Sequence, residues 1–418
     1  MDANMRTGLT QTIGSPRSAE TSSASAPLGG SSILPRTIVL LFAAACALSV
    51  ANIYFAHPLL DEMARDLAIT PATIGIVVTL TQVGYGAGLI FLVPLGDLID
   101  RRRLIVGQAL LSSAALVVVG VAPNSTTLLI GMVGVGVLAV AVQVLVAFAA
   151  NLAHPSERGE VVGVVQSGVV VGILLARFAA GALADVGGWR LVYFTSAGIT
   201  AVMAALLFRI LPRSPQESAA GSYPQLLRSL VMLFREEPIL RVRAGLGMLV
   251  FAAINIFWAP LVLPLSVPPF SLSHTQIGLF GLVGLAGALG ASRAGRLADR
   301  GFHERTTGFA LGLMLASWSL IALMGVSLWI LVVGIVMLDF AVQAVHVTNQ
   351  SLIFARRPEA RSRLVGVYML FYSVGCGSGA IASTATYAAF GWLGVCTLGA
   401  VVSVMAVLFW VGTLRGTR

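Results

Sequence analysis

Twelve apolar stretches of about twenty residues each follow one another along this chain, with little charge to interrupt them. Only 10% of the 418 residues are charged and 57% are hydrophobic, whereas soluble domains carry about 25% charged residues. A water-facing surface cannot be built from such a sequence. Segments this long cross a hydrocarbon core of about 30 Å as helices, because a helix satisfies its backbone hydrogen bonds internally, as lipid requires. The short segments of alternating polarity that mark a transmembrane barrel are missing. The expectation is an all-α membrane protein of twelve transmembrane helices.

The spans read from the sequence are 37–58, 72–95, 104–122, 126–150, 160–184 and 190–211, then 244–266, 276–294, 306–325, 328–353, 364–388 and 392–413. Residues 1–35 are rich in Ser, Ala, Thr and Gly and lack the apolar core of a signal peptide, so a disordered tail is expected there. The longest internal connection, 212–242, divides the spans into bundles at 36–211 and 243–413, with a short terminus at 414–418. Leu226, Leu227, Val231, Leu233 and Phe234 alternate there with Arg228, Arg235 and Arg241, a pattern expected of an amphipathic helix on the membrane surface.

Charge tests the count. There are 26 basic residues, all arginine. If the N-terminus is cytoplasmic, all but three of them fall in cytoplasmic segments. Arg65 and Arg190 fall outside, and Arg177 lies within a span. The positive-inside rule predicts this imbalance, and a miscounted span would scramble it. The net charge of +9 is therefore read as topology, and no nucleic-acid partner is implied. Both termini are expected to be cytoplasmic, in a bacterial inner membrane. Cys46, Cys376 and Cys396 sit in apolar segments and read as packing residues, with neither metal-ligand nor disulfide spacing.

The sequence also repeats itself. Asn52-Ile53-Tyr54-Phe55-Ala56-His57-Pro58 matches Asn255-Ile256-Phe257-Trp258-Ala259-Pro260 at an offset of 203 residues. The same offset relates Pro155 to Pro358, Arg158 to Arg361, Gly163 to Gly366, Gly172 to Gly375 and Gly188-Trp189 to Gly391-Trp392. One offset joining so many places in order indicates a duplicated six-helix unit. Two such halves can rock about a central site and expose it to each side in turn.

Two loops carry a further pattern. Gly96-Asp97-Leu98-Ile99-Asp100-Arg101 joins spans 2 and 3, and Gly295-Arg296-Leu297-Ala298-Asp299-Arg300 joins spans 8 and 9. Both resemble the signature cytoplasmic loop of the major facilitator superfamily, a glycine followed by an aspartate four residues on and then an arginine. The later glycine of that signature is replaced by Arg103 and Phe302. The resemblance implies a gate latch at Gly96, Asp100 and Arg101 and again at Gly295, Asp299 and Arg300. More narrowly, the segments around Asn52, Arg177 and Asp339 look like a bacterial efflux-permease branch, whose members are mostly sugar or drug exporters driven by protons. The glycine-rich span 5 lacks that branch's proline.

Asp339 lies about 18 Å into span 10 at 1.5 Å per residue, near the membrane midplane. A charge there costs at least ~2.5–3.5 kcal/mol, so such acids usually face a cavity and serve function. Gln343, His346 and Gln350 follow on the same helical face. This stripe reads either as a proton path, with Asp339 and His346 as coupling groups, or as a structural polar seam. Arg177 reads three ways: binding an anionic substrate, pairing with Asp339 or Asp61, or snorkelling to the headgroups. Asn52, Tyr54, Asn255 and Trp258, beside paired interruptions at Pro58 and Pro260, are cavity candidates, as are Gln82, Gln143 and Gln343; Tyr54 and Trp258 read equally as interface anchors.

No phosphate-binding Gly-x-x-x-x-Gly-Lys-Ser/Thr loop, nucleophile elbow or catalytic carboxylate pair occurs. The chain reads as a secondary transporter and not an enzyme, needing no cofactor and sufficient as a monomer. Its partners are a small-molecule substrate, protons and the lipid bilayer. The leading expectation is proton-coupled efflux of a drug-like or sugar-like compound. The alternatives are proton-coupled uptake and a receptor or assembly factor that has lost transport.

Overall fold

The computed structural model describes residues 34–154, 156–212, 223–284, 302–354 and 361–416. Among them every regular element is helical. The Gly295 loop, the C-terminal end of span 8 and residues 1–33 of the tail lie outside the described residues.

Span 1 is Arg36–Tyr54, continued through a 3₁₀ turn at His57–Leu59 into Leu60–Asp66. Span 2 is Ile76–Phe91, span 3 is Arg101–Gly120, and span 4 is made of Ser125–Ala139 and Ala141–Leu152. Span 7 is Pro238–Trp258, span 8 begins at 274–284, span 9 is His303–Ala322 and span 10 is Leu328–Phe354. The interruptions after Tyr54 and after Trp258 fall at equivalent places in the two halves, where Pro58 and Pro260 withhold a backbone donor.

Two helices, Arg158–Ile210 and Arg361–Gly416, are each long enough for two crossings. Each contains a break. In the first, the arm before Gly187 runs beside span 1 in the same sense, with Gly168 against Ala43 and Gly172 against Ala47. The arm after it counts span 3 backwards: Arg190 donates to the Ala122 carbonyl (3.1 Å), Ser113 to Ala197 (2.9 Å) and Arg102 to Phe208. The chain therefore reverses at Gly187–Gly188, and Gly188 takes φ 76°, a conformation open to glycine. The second helix repeats the device. Gly375 meets Met248 and Gly379 meets Ala252 before the break. After Gly391 (φ 65°), Trp392 donates to the Ile321 carbonyl (3.1 Å), Trp318 to Ser403 (3.0 Å), and Gly308 abuts Trp410. Spans 5, 6, 11 and 12 are thus two tight hairpins, and the chain has twelve transmembrane helices in two six-helix bundles.

Large apolar side chains such as Leu111, Ile130, Phe309, Trp329 and Phe390 are exposed around the outside. That reverses the soluble pattern and matches a surface solvated by lipid. Inside each bundle, small residues let backbones approach closely. Spans 2 and 4 cross where a β-carbon on Gly136 would sit 1.9 Å from the Thr81 carbonyl oxygen and one on Gly84 2.3 Å from that of Val133. Because backbone cannot yield there, Gly136→Val is expected to destabilise the protein by about 1–3 kcal/mol, the usual overpacking cost. A thermal unfolding scan in detergent checks this; an unchanged midpoint would mean the crossing is not tight.

At the end of the molecule that carries residues 36 and 416, helix Tyr223–Glu236 buries Leu233. It touches both bundles: Tyr223 donates to the Phe91 carbonyl (2.9 Å), and Phe234 stacks on Phe371 at 5.2 Å. The opposite, far end holds the Gly188 and Gly391 turns.

Candidate functional site

From the far end to mid-depth, the halves meet along spans 2 and 11. Gly75 donates its backbone N–H to Thr384 (3.3 Å), Thr79 its hydroxyl to the Gly377 carbonyl (2.7 Å), and Ser373 its hydroxyl to Gln82 (3.4 Å). At mid-depth, the hydroxyls of Tyr54 and Tyr372 bond across the junction. His57 Nε2 stands 3.5 Å from Asn255 Oδ1. Two segments that match in sequence, around Asn52 and Asn255, therefore face each other at the centre. Their asparagines have different partners. Asn52 accepts from Ser196 (2.7 Å) within its own half, and Asn255 faces the opposite half.

Arg177 is the centre of the arrangement. It is only 6% exposed, so snorkelling to the headgroups is ruled out. Its guanidinium carbon stands 3.9 Å from the centroid of the Trp258 ring and 5.2 Å from that of Tyr54, one ring from each half. Its Nε is buried and has no hydrogen-bond partner among the described residues. Asp61 does not reach it, being held instead by Arg65 (3.0 Å) and His274 (3.0 Å). Asp339 is its electrostatic partner, yet no described carboxylate lies within the 4 Å of an ion pair. His57, Pro58, Trp258, Leu261, Val262 and Ile277 complete the walls of a cavity of about 10 Å³, room for one water.

Span 8 makes the space. A β-carbon on Gly281 would lie 3.0 Å from Arg177 Cβ, and one on Gly284 would lie 2.5 Å from Asp339 Oδ2. Glycine at those positions leaves room for the charged side chains of spans 5 and 10. Asp339 is buried at 8% exposure.

The other candidates spread around this centre. Gln143 donates to Tyr85 (3.2 Å), whose ring lies 6.5 Å from that of Tyr372. His346 is bonded to the Tyr368 hydroxyl (3.0 Å) and packs edge-on against Phe251 at 5.1 Å. Gln343 is half-buried between Asp339 and His346 on the same helix. In the Gly96 loop, Asp100 caps span 3 by accepting from the Arg103 N–H (2.9 Å), and Arg101 Nε donates to the Gly96 carbonyl (3.0 Å). Gly295, Asp299 and Arg300 lie outside the described residues.

Sequence reasoning missed Tyr372 and the glycine face of span 8. A lone tyrosine mid-span is a weak signal, and glycines are common in membrane helices. It also missed a cluster at the far end. There Asp185, at the span 5–6 turn, accepts from the backbone N–H of His274 (3.1 Å) and Thr275 (2.9 Å), capping span 8 of the other half. The imidazole of His274 lies 3.0 Å from Asp61 and 3.3 Å from Asp185. The hydrogen bond to Asp61 raises the His274 pKa above its ordinary value; burial opposes this, and the charges of Asp61, Glu62 and Asp185 add to it.

Comparison with known proteins gives this architecture a family. The model of the Major Facilitator Superfamily matches residues 39–300 and 246–418. The Escherichia coli K12 transporter YgaY is 44% identical over 377 residues, covering 90% of this chain and 95% of that protein. A Helicobacter pylori protein named as a sugar efflux transporter is 22% identical over 84% of this chain and 88% of its own length. The crystal structure of a bacterial homologue of the human lysosomal transporter Spinster, inward-facing and unoccupied, superposes with a TM-score of 0.74 at 16% identity, covering 90% of this chain and 95% of that one. With twelve spans in two matching bundles and a buried polar centre between them, the chain belongs to the Major Facilitator Superfamily and is a multi-pass membrane transporter.

Proposed function

We propose that this chain is a proton-coupled exporter of a small drug-like or sugar-like compound in a bacterial inner membrane, with Asp339 as the group that takes up and gives back the proton. The observation that carries this is a carboxyl buried at mid-membrane where the two halves meet, beside the fixed charge of Arg177. An ionisable group at that depth is costly unless it is used. Rocking of the two bundles would expose the centre to each side in turn. The arginine-rich loops support cytoplasmic termini, which makes the far end the outer face. Export is supported by the name of the Helicobacter pylori relative. If substrate and proton exclude one another, the fluxes are exchanged.

Cotransport is the second reading. A permanent cation at the centre favours it, because an anion on Arg177 and a proton on Asp339 would stabilise each other.

The test is accumulation of a panel of dyes, antibiotics and sugars in efflux-deficient cells expressing the chain, with and without a protonophore. Lowered accumulation that the protonophore abolishes is the expected result. Raised accumulation with the same dependence would establish uptake, and transport indifferent to the protonophore would remove the proton from the mechanism.

A further inference from the structure

The charge balance of the central cavity says more about the cargo than the family does. Guanidinium stays protonated in proteins, so Arg177 is a permanent cation. Taking an ion out of water is costly even after relaxation. The contacts to Trp258 and Tyr54 return only part of that cost, and the buried Nε has no partner among the described residues. No described carboxylate completes an ion pair with it. The guanidinium is therefore held in place with hydrogen-bonding capacity left over, between two flat aromatic faces.

The remainder of the cavity wall suits an apolar body. Pro58, Leu261, Val262 and Ile277 surround the rings. Arg177 and Tyr54 belong to the first half and Trp258 and Asp339 to the second, so parting the halves widens the space between them. Charge counting adds a constraint. One anion on Arg177 together with an ionised Asp339 leaves two negative charges against one positive charge in a medium of low dielectric. With Asp339 protonated, anion and guanidinium neutralise each other.

From this geometry we infer that the transported compound carries an anionic group that docks on Arg177, with a flat or apolar body against Trp258 and Tyr54, and that it crosses together with the proton of Asp339. This rests on the assignment of Asp339 as the proton site, and it selects cotransport over exchange. A cotransporter still exports whenever the internal acid exceeds what the proton gradient can hold back, and a protonophore then assists that export where it would abolish export by exchange. The cargo class is an organic acid.

The experiment uses the full chain in detergent and two isosteric probes, benzoate and benzamide, measured by calorimetry in two buffers of different ionisation heat. Benzoate is expected to bind about ten- to a hundred-fold more tightly, as for a charge-assisted hydrogen bond, with a proton taken up from solution. Arg177→Gln removes the preference and Arg177→Lys keeps part of it, which separates lost recognition from misfolding. Asp339→Asn binds benzoate with no proton uptake. Equal responses to acid and amide in the wild type, including no response to either, would overturn the inference and leave the proton role of Asp339 standing. A preference for benzoate without proton uptake would do the reverse: the anion site would stand, and cotransport through Asp339 would fall.

Discussion

Proteoliposomes carrying Asp339→Asn are expected to lose gradient-driven transport altogether while retaining exchange of labelled for unlabelled substrate. Asparagine keeps the size and much of the hydrogen-bonding capacity of the side chain, but it cannot release a proton. It fits the space left by Gly284, where a β-carbon would come within 2.5 Å of the native carboxylate. A coupled carrier driven by an imposed gradient of one pH unit, one proton per substrate, can sustain a concentration ratio of about tenfold, the equivalent of 1.36 kcal/mol. The variant should sustain none. Exchange does not require the empty carrier to return, so it reports that the variant is folded and binds. Loss of both activities would point to a structural role for Asp339, and survival of both would place coupling elsewhere.

The second large effect concerns the far-end cluster. His274 of the second half lies between Asp61 and Asp185 of the first, with Glu62 adjacent and Arg65 on the opposite side of Asp61. The imidazole binds a proton more tightly in this closed arrangement than it would once the halves part. The stabilisation is therefore fully present below the ordinary histidine range, near pH 6.5, and is lost as pH rises through the raised value. Spin labels placed across the far end should report a population closed at pH 5.5 that opens progressively above neutrality. The change should be about tenfold, as for one partly buried charge-assisted bond of ~1.5 kcal/mol. His274→Gln should flatten the profile. If the wild-type distances do not change with pH, His274 is not part of a latch.

Much of this could be read in advance, for identifiable reasons. Apolar length and arginine placement act locally, so the number and order of the twelve spans were legible, while their ends differ by several residues, as at span 7, which starts at Pro238 and not at 244. The offset of 203 residues joined Gly188-Trp189 to Gly391-Trp392 before any geometry was known, and both glycines prove to be positive-φ turns with the tryptophans bonded beside them. Asp339 and Arg177 stood out because charge is rare in apolar segments. Their partners did not. The seat of Arg177 between Trp258 and Tyr54 depends on how two bundles face each other, and no local pattern encodes that. His274 and Asp185 looked like ordinary loop residues, since their meeting depends on a contact between halves. Of the three readings of Arg177, burial removes the headgroup one, and the pairing of Asp61 with Arg65 and His274 keeps that carboxylate away, leaving the anion site and Asp339.

The two glycine hairpins bear on how the protein is made. With a joint of one or two residues, span 5 cannot be threaded into the bilayer and left waiting for span 6, because no loop exists to hold the second arm in water. Each pair must enter as a unit, its apolar arms already side by side, and the same holds for spans 11 and 12. The last pair also completes the wall that carries Tyr372 and Ser373. A ribosome stalled before Gly391 would therefore leave the first ten helices inserted and the centre of the molecule unfinished.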